Sequence, residues 1–354
     1  MDMESEFLLN WYERQLLVKG IDDRLQLKLS GETFGRLTGE LEELVAELLI
    51  RSGLSGITKE FPRQEILPFY SPLIYRQEET VIFEDGPLLE IVVEKEKKRI
   101  SFPHSLPSAF APIIAGRIFS WFMDGKYEKA FNMKLPAGLD RIGRPGKVMV
   151  VGAGGLGAPL IKILLDRGLK DIAIVEPGEI KLNNLHRQIL YDYGDVGYPK
   201  ATILERKLYR MYPSARVKIY RERFTEALLR SEKPDLVVSC VDNYGARYEI
   251  NDSSYRSGIP YVDSAVDGFS GYVMFRRRGL ACYRCFMGDD RKDTTAPKGI
   301  LPFTSYFGAM LQAAVTIDFL NRRGSIEKVF WFDLRNDMYE EIDIGKRENC
   351  KVCN

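Results

Sequence analysis

The chain has 354 residues, enough for two domains, and 45% of them are hydrophobic, as in a protein that folds around real cores. A formal net charge of +1 removes the electrostatic case for nucleic acid or membrane as the main partner and leaves small molecules and proteins. The start, MDMESEFLL, is acidic with no basic n-region, and the most apolar later stretch, Ser108 to Met123, is short and carries Arg117, so the sequence reads as cytoplasmic. Five cysteines, four of them in Cys-x-x-Cys pairs, fit a reducing compartment with metal-bound thiolates better than a disulfide framework.

Residues Glu6 to Leu29 mix charged and apolar residues in helical order, which predicts a helical arm over 1–30. Leu37, Leu41, Leu44, Val45, Leu48 and Leu49 then recur at helical spacing, and Gly53 and Gly56 stop that helix. From Thr80 to Phe102 the pattern turns strand-like: TVIF, a turn at Asp85-Gly86-Pro87, LLEIVV, a charged turn from Glu94 to Lys98, then RISF. A small antiparallel sheet is expected. Ile113, Ile114, Ile118, Trp121 and Phe122 predict another buried helix, closed by Asp124-Gly125. Residues 31–138 are therefore expected to form an α+β unit, and no catalytic constellation stands out in it.

After the turn-rich run from Arg141 to Gly146 the pattern becomes KVMVV, GAGGLG, a helix through Leu165, then DIAIVE, a βαβ unit. Backbone amides of the turn holding Gly152, Gly154, Gly155 and Gly157, with the helix N-terminus behind them, can take phosphate. Acidic Glu176 closes the next strand about 20 residues on, where a ribose hydroxyl is met. An NAD- or FAD-binding domain has the same pattern, and on these features alone it stays open.

The following stretch separates the alternatives. Asn184-Leu185-His186-Arg187-Gln188, then Asp195-Val196-Gly197 and Lys200-Ala201, then Cys240-Val241-Asp242-Asn243 with Arg247, and Ala281-Cys282-Tyr283-Arg284-Cys285 resemble, in the same order, the signature of the MoeB/ThiF-type adenylyltransferases, relatives of ubiquitin-activating enzymes. The resemblance covers residues 147 to 354. It implies an α/β fold with a Rossmann-like doubly wound sheet in an adenylation domain at 139–354, preceded by residues 31–138 as an extra α+β N-terminal unit. It also implies an activity: a carboxylate is joined to the α-phosphate of ATP and pyrophosphate leaves. By the same resemblance Gly152, Gly154, Gly155 and Gly157 form the phosphate-side turn and Glu176 bonds the ribose. Arg187 and Lys200 contact phosphate, Asn184 gives polar support, and Asp242, just after the apolar strand DLVVSCV, holds magnesium. Glu176 departs from the aspartate usual there, and Gly178 stands where a second aspartate is common. His186 and His104 read as structural or solvent-facing, and Cys240 as a small hydrophobe.

Cys282/Cys285 and Cys350/Cys353 are two pairs with two-residue spacing and 64 residues between them, which predicts one zinc held by four thiolates. Such a site leaves no open coordination position, so its role is structural. It would pin the end of the chain to the segment after the central sheet.

Upstream, Trp11-Tyr12-Glu13-Arg14-Gln15-Leu16-Leu17, with Gly20 and Gln26, is similar to the family's N-terminal helix, whose Tyr-x-Arg-Gln arginine reaches the ATP of the opposite subunit in a homodimer. Arg14 is that residue by resemblance, although about 110 residues intervene here before the glycine strand. Members that go on to a thioester or persulfide carry a cysteine after the first zinc pair. This chain has Phe286 to Thr295 there, without cysteine, and a hydroxyl such as Thr294 or Thr295 without a paired base is a poor nucleophile. Unless Cys240 is exposed, the reaction stops at the acyl-adenylate. Two partners fit: a ubiquitin-like or sulfur-carrier protein with a flexible glycine tail, or a precursor peptide of a microcin- or pantocin-like pathway. In the second case the inserted unit grips the leader through an edge strand. Retention of Arg187, Lys200 and Asp242 speaks against a non-catalytic binding protein.

Overall fold

The computed structural model describes residues 9–353 except 38, 55, 58–73, 76–77, 79, 96, 128, 130–138, 294–297 and 322–326. The expected N-terminal helix is broken: residues 9–11 are helical, and Tyr12 to Leu17 continue in turns. Gly20 (φ +92°) ends that run, and the Asp22 side chain accepts from Leu25 N at 2.8 Å to cap a separate helix, α1 (Asp23–Leu29). There follow β1 (Thr33–Phe34), α2 (Glu40–Arg51), β2 (Gly56–Ile57), β3 (Ile74–Tyr75), β4 (Val81–Asp85), β5 (Glu90–Glu94), β6 (Lys97–Phe102) and α3 (Ala111–Asp124). Gly53 (φ +107°) stops α2 and Gly125 (φ +75°) stops α3, as predicted, while Gly56 opens a strand instead.

The antiparallel sheet expected between Thr80 and Phe102 is instead six-stranded and mixed, in the order β3-β2-β1-β4-β6-β5. Only β5 and β6 pair antiparallel; β4 runs parallel to β6 and to β1. Burial explains the order. Ile100 and Phe102 of β6 are fully buried, so β6 takes the inner place beside β4, and β5, whose Val92 and Val93 are 44% and 53% exposed, becomes the edge.

The second sheet uses β7 (Lys147–Val151), then α4 (Gly157–Asp166), β8 (Asp171–Val175), α5 (Lys200–Met211), β9 (Arg216–Tyr220), α6 (Glu226–Glu232), β10 (Leu236–Ser239) and α7 (Tyr244–Ser257). It continues through β11 (Tyr261–Asp267), β12 (Ser270–Arg276), α8 (Tyr283–Met287), α9 (Pro302–Leu320), β13 (Val329–Asp333) and β14 (Met338–Ile342). The order is β14-β13-β12-β11-β10-β7-β8-β9, parallel from β11 to β9 and antiparallel beyond β11. Strands β7, β8 and β10 are almost wholly buried, as their continuous apolar runs require of a parallel sheet covered on both faces. This is the Rossmann-like doubly wound sheet.

Helix α3 packs on α9 through Phe119 against Phe303, and Phe119 also meets Phe269. A Cβ on Gly116 of α3 would lie 3.2 Å from the Phe303 ring, so glycine sets the closeness of the two helices. Arg117 of α3 pairs with Asp337 between β13 and β14, both almost without exposure. Among the described residues no helix is long and apolar enough to cross a membrane.

Candidate active site

The strand order creates the site. From β7 the chain steps outward to β8 and β9, then returns to lay β10 on the other side of β7, with Ser239 in register with Val151. At such a reversal the connections leaving the two strand ends part and open a crevice. The glycine turn leaves β7 and Cys240 to Asp242 leave β10 at this place. The approach is close: Cys240 N donates to Val151 O at 2.8 Å, and a Cβ on Gly152 (φ +95°) would come within 2.7 Å of Cys240 O. A Cβ on Gly157 would lie 2.0 Å from Gly152 O, so the turn admits no side chain there. No side chain caps α4, which opens behind the turn.

Two predicted cations converge on this crevice. Arg187 is buried, its Cδ would lie 3.1 Å from a Cβ on Gly155, and its Nη1 donates to Asn183 O at 2.7 Å. Its Nε has no partner among the described residues. Burial, and then the Arg14 cation nearby, push the Arg187 guanidinium down to about 9, against the pull of Asp242 and Glu13. Burial likewise holds Lys200 below the usual lysine range, while Glu176, 3.9 Å away, and Asp242 oppose the shift. Two desolvated cations beside an open turn favour an anion, which would restore their charge. Asp242 stands exposed at the end of β10, where its field reaches both of them.

Glu176 is buried, with Oε2 accepting from Ala153 N and Oε1 from Gly178 N, each at 2.7 Å. The two departures from the family pattern compensate one another: a Cβ on Gly178 would lie 2.9 Å from Glu176 Oε1, so the longer glutamate occupies space that a second side chain would need. Asn184 faces its own turn, accepting from Lys181 N at 3.2 Å and donating to Asn183 Oδ1 at 3.1 Å. It shapes the segment that carries Arg187. Tyr191, which no sequence pattern marked, donates from its hydroxyl to Ala153 O at 3.0 Å and steadies the glycine turn from below.

Comparison with known proteins agrees with this geometry. Residues 130–352 match the profile of the ThiF family. The chain belongs to the ThiF family. It is similar to the sulfur carrier protein adenylyltransferase of Thermus thermophilus, 32% identical over 62% of this chain and 85% of that protein. It is also similar to the SAMP-activating enzyme E1 of Haloferax volcanii, 28% identical over 61% of this chain and 85% of that protein. In structure it resembles Escherichia coli MccB, crystallised with ATP, at a TM-score of 0.53 and 21% identity over 59% of this chain and 67% of that one. This ThiF-family protein is an ATP-dependent adenylyltransferase of the ubiquitin-like-activating type, forming an acyl-adenylate from a carboxylate.

In this ThiF-family chain Arg14 lies near Arg187 of the same chain, close enough to depress its pKa, and its backbone carbonyl accepts from Ile300 N at 3.0 Å. Packing holds it there: Trp11 and Tyr12 are buried in the same chain, Trp11 stacked on Tyr193 and Tyr12 tilted on His186. His186 is fully buried, and burial, then the Arg187 charge, hold it well below the usual histidine range, which makes it structural rather than solvent-facing. His104 is part-exposed, with Nε2 2.9 Å from Glu42.

Cys240 is buried beneath the turn, donates from Sγ to Gln312 Oε1 at 3.5 Å, and has its thiol pushed up by burial. It is not poised as a nucleophile. Thr294 and Thr295 lie outside the described residues. Arg247 is the member of the matched motif that shapes the site from behind: it donates to Asp263 at 2.6 Å and to Val241 O at 2.6 Å, which fixes the residue before Asp242.

The sulfurs of Cys282, Cys285, Cys350 and Cys353 all lie within 4.8 Å of one another. Cys282 and Cys350 are 3.5 Å apart and Cys285 and Cys353 3.3 Å apart, far beyond a disulfide bond of about 2.05 Å. Four thiolates about 2.3 Å from a tetrahedral ion sit at comparable separations. Arg347 N donates to Cys285 Sγ at 3.3 Å, as a backbone amide does beside a metal-bound thiolate. The donor set and spacing fit a single soft ion.

Proposed function

We propose that this enzyme adenylates the C-terminal carboxylate of a small sulfur-carrier or ubiquitin-like protein in the cytoplasm and releases the acyl-adenylate to a separate nucleophile. The observation that carries this reading is the meeting of the glycine turn, Arg187, Lys200 and exposed Asp242 at one crevice, together with relatives that activate sulfur carriers. A carboxylate oxygen of the partner bonds the α-phosphorus while the bond from that phosphorus to the bridging oxygen of pyrophosphate breaks. The turn from Gly152 to Gly157 takes phosphate on its amides, and Arg187 and Lys200 offset the charge that moves to the leaving group. Arg14 adds a third cation on that side, Glu176 takes the ribose through its remaining lone pairs, and Asn184 keeps the Arg187 segment in place. Asp242 would hold magnesium, which when bound screens the phosphates. Zinc on Cys282, Cys285, Cys350 and Cys353 would be structural. In this reading residues 1–30 form an arm, 31–138 an inserted unit and 139–354 the adenylation domain of a homodimer.

Labelled pyrophosphate exchange into ATP tests the reading. Exchange is expected only with a carboxylate-bearing partner present, and a small carrier ending in Gly-Gly is expected to support it while its tail-truncated form does not. Exchange that needs no partner would overturn it. The edge place of β5, where Val92 and Val93 are exposed while Leu89 N and Ile91 N already donate to Lys129 O and the Tyr127 hydroxyl, favours a second reading, in which a precursor peptide is the partner and an extended leader adds to the edge beyond Ile91. Exchange supported by such a peptide and by no carrier would decide for it.

Arg14 lies near Arg187 of the same chain, and in this reading it serves that site, so mixing Arg14→Ala with Asp242→Ala protein is expected to restore nothing even when subunit exchange is proven, since no chain then holds both groups. Recovery to at most about half of the activity per dimer would place Arg14 in the partner's site.

A further inference from the structure

We propose that Arg51, from the segment inserted ahead of the adenylation domain, is a positioning residue that acts on the nucleotide site through Arg187; this rests on the phosphate role proposed for Arg187. The last turn of α2 reaches the site with three consecutive residues. Arg51 is 0% exposed, donates from Nη1 to Leu185 O at 2.9 Å, and donates from Nε and Nη2 to Glu47 Oε1 at 3.1 and 3.0 Å. Leu185 lies two residues before Arg187 and is itself fully buried, so its carbonyl depends on a protein donor. On either side of Arg51, Ile50 O accepts from the Tyr12 hydroxyl at 3.0 Å and Ser52 O from Gln15 Nε2 at 2.6 Å. Tyr12 and Gln15 flank Arg14.

One turn of helix therefore grips both the loop that carries Arg187 and the arm that carries Arg14. Those two guanidinium groups repel, and without an anion between them they would drift apart unless the backbone behind each is held. Glu47 balances the charge of the clamp itself. A planar fork can serve Glu47 and the Leu185 carbonyl at the same time, which a lysine ammonium cannot reproduce.

The test is ATP affinity by calorimetry, with a melting curve for each protein, in the unaltered chain, Arg51→Lys, Arg187→Ala and the double variant. Arg51→Lys is expected to weaken ATP by about tenfold, as a small misplacement of a positioned group does. Arg187→Ala is expected to weaken it at least as much. In the Arg187→Ala background the Arg51 substitution should add nothing further, because its effect passes through the missing group. If Arg51→Lys does not fold, the Glu47→Gln/Arg51→Gln pair, which leaves no unpaired buried charge, takes its place with the same expectation. Additive losses, as from a merely structural role, overturn the proposal, and so does unchanged affinity in a folded Arg51 variant. Unchanged affinity in Arg187→Ala overturns the phosphate role as well, whereas loss there with none in the Arg51 variant overturns this inference alone.

Discussion

Asp242→Ala protein is expected to lose pyrophosphate exchange by about three orders of magnitude, the several kcal/mol that charge stabilisation by a bound metal is worth. Its melting temperature should stay where it was. The side chain is exposed and accepts from Asn243 Nδ2 at 3.5 Å, while the neighbouring helix cap, Asn243 Oδ1 accepting from Ala246 N at 2.8 Å, does not involve it. Loss of function without loss of fold separates a role in the reaction from one in the scaffold. Removing the carboxylate takes away the group proposed to hold magnesium, and also the one acidic field that supports the charge of both Arg187 and Lys200. Asp242→Asn keeps the shape and should fail as badly. Full exchange in either variant would remove Asp242 from the mechanism.

Purified protein is expected to contain one zinc per chain, and Cys350→Ser to lower the melting temperature by about 10 °C or more, since several kcal/mol at this chain length correspond to such a shift. Cys282, Cys350 and Cys353 pack with Tyr255 of α7 as one small buried cluster, with the Tyr255 hydroxyl donating to Cys353 O at 3.5 Å. The site joins the end of the chain to the segment leaving β12, so its loss frees both. Metal analysis that finds no zinc in reduced, fully folded protein would end this idea. A Cys350→Ser variant that melts like the unaltered protein but exchanges pyrophosphate slowly would show a role in chemistry instead.

The glycine turn was legible because it is local: an apolar strand, small residues and a helix follow one another, and each close approach, such as Gly157 on Gly152 O, lies within a few residues. The four cysteines were legible for another reason, since a fixed pair spacing carries its own geometry. Arg51 was not. A charged residue in the last turn of an amphipathic helix reads as solvated, and only the docking of α2 against the Leu185 loop turns it inward. The arm shows the same limit, because its apolar and charged residues suit one long helix until Gly20 and the Asp22 cap divide it.

The sequence by itself determined the strand, glycine turn, helix and strand from Lys147 to Glu176 and the apolar strand before Asp242, and its resemblance to the family marked the residues that could carry charge to a phosphate and the lack of a cysteine from Phe286 to Thr295. Pattern and composition act over a turn or a strand, so they reach that far. The tertiary structure alone decided that β10 returns beside β7, bringing Asp242 to a glycine turn some ninety positions earlier, and that β6 slips between β4 and β5 to make a mixed sheet. It also decided that Arg14 lies near Arg187 of the same chain and that the last turn of α2 bonds to the Leu185 loop. Alternation of apolar residues says which face is buried and never which strand or loop lies against it, because that choice is made by the summed burial of the whole chain.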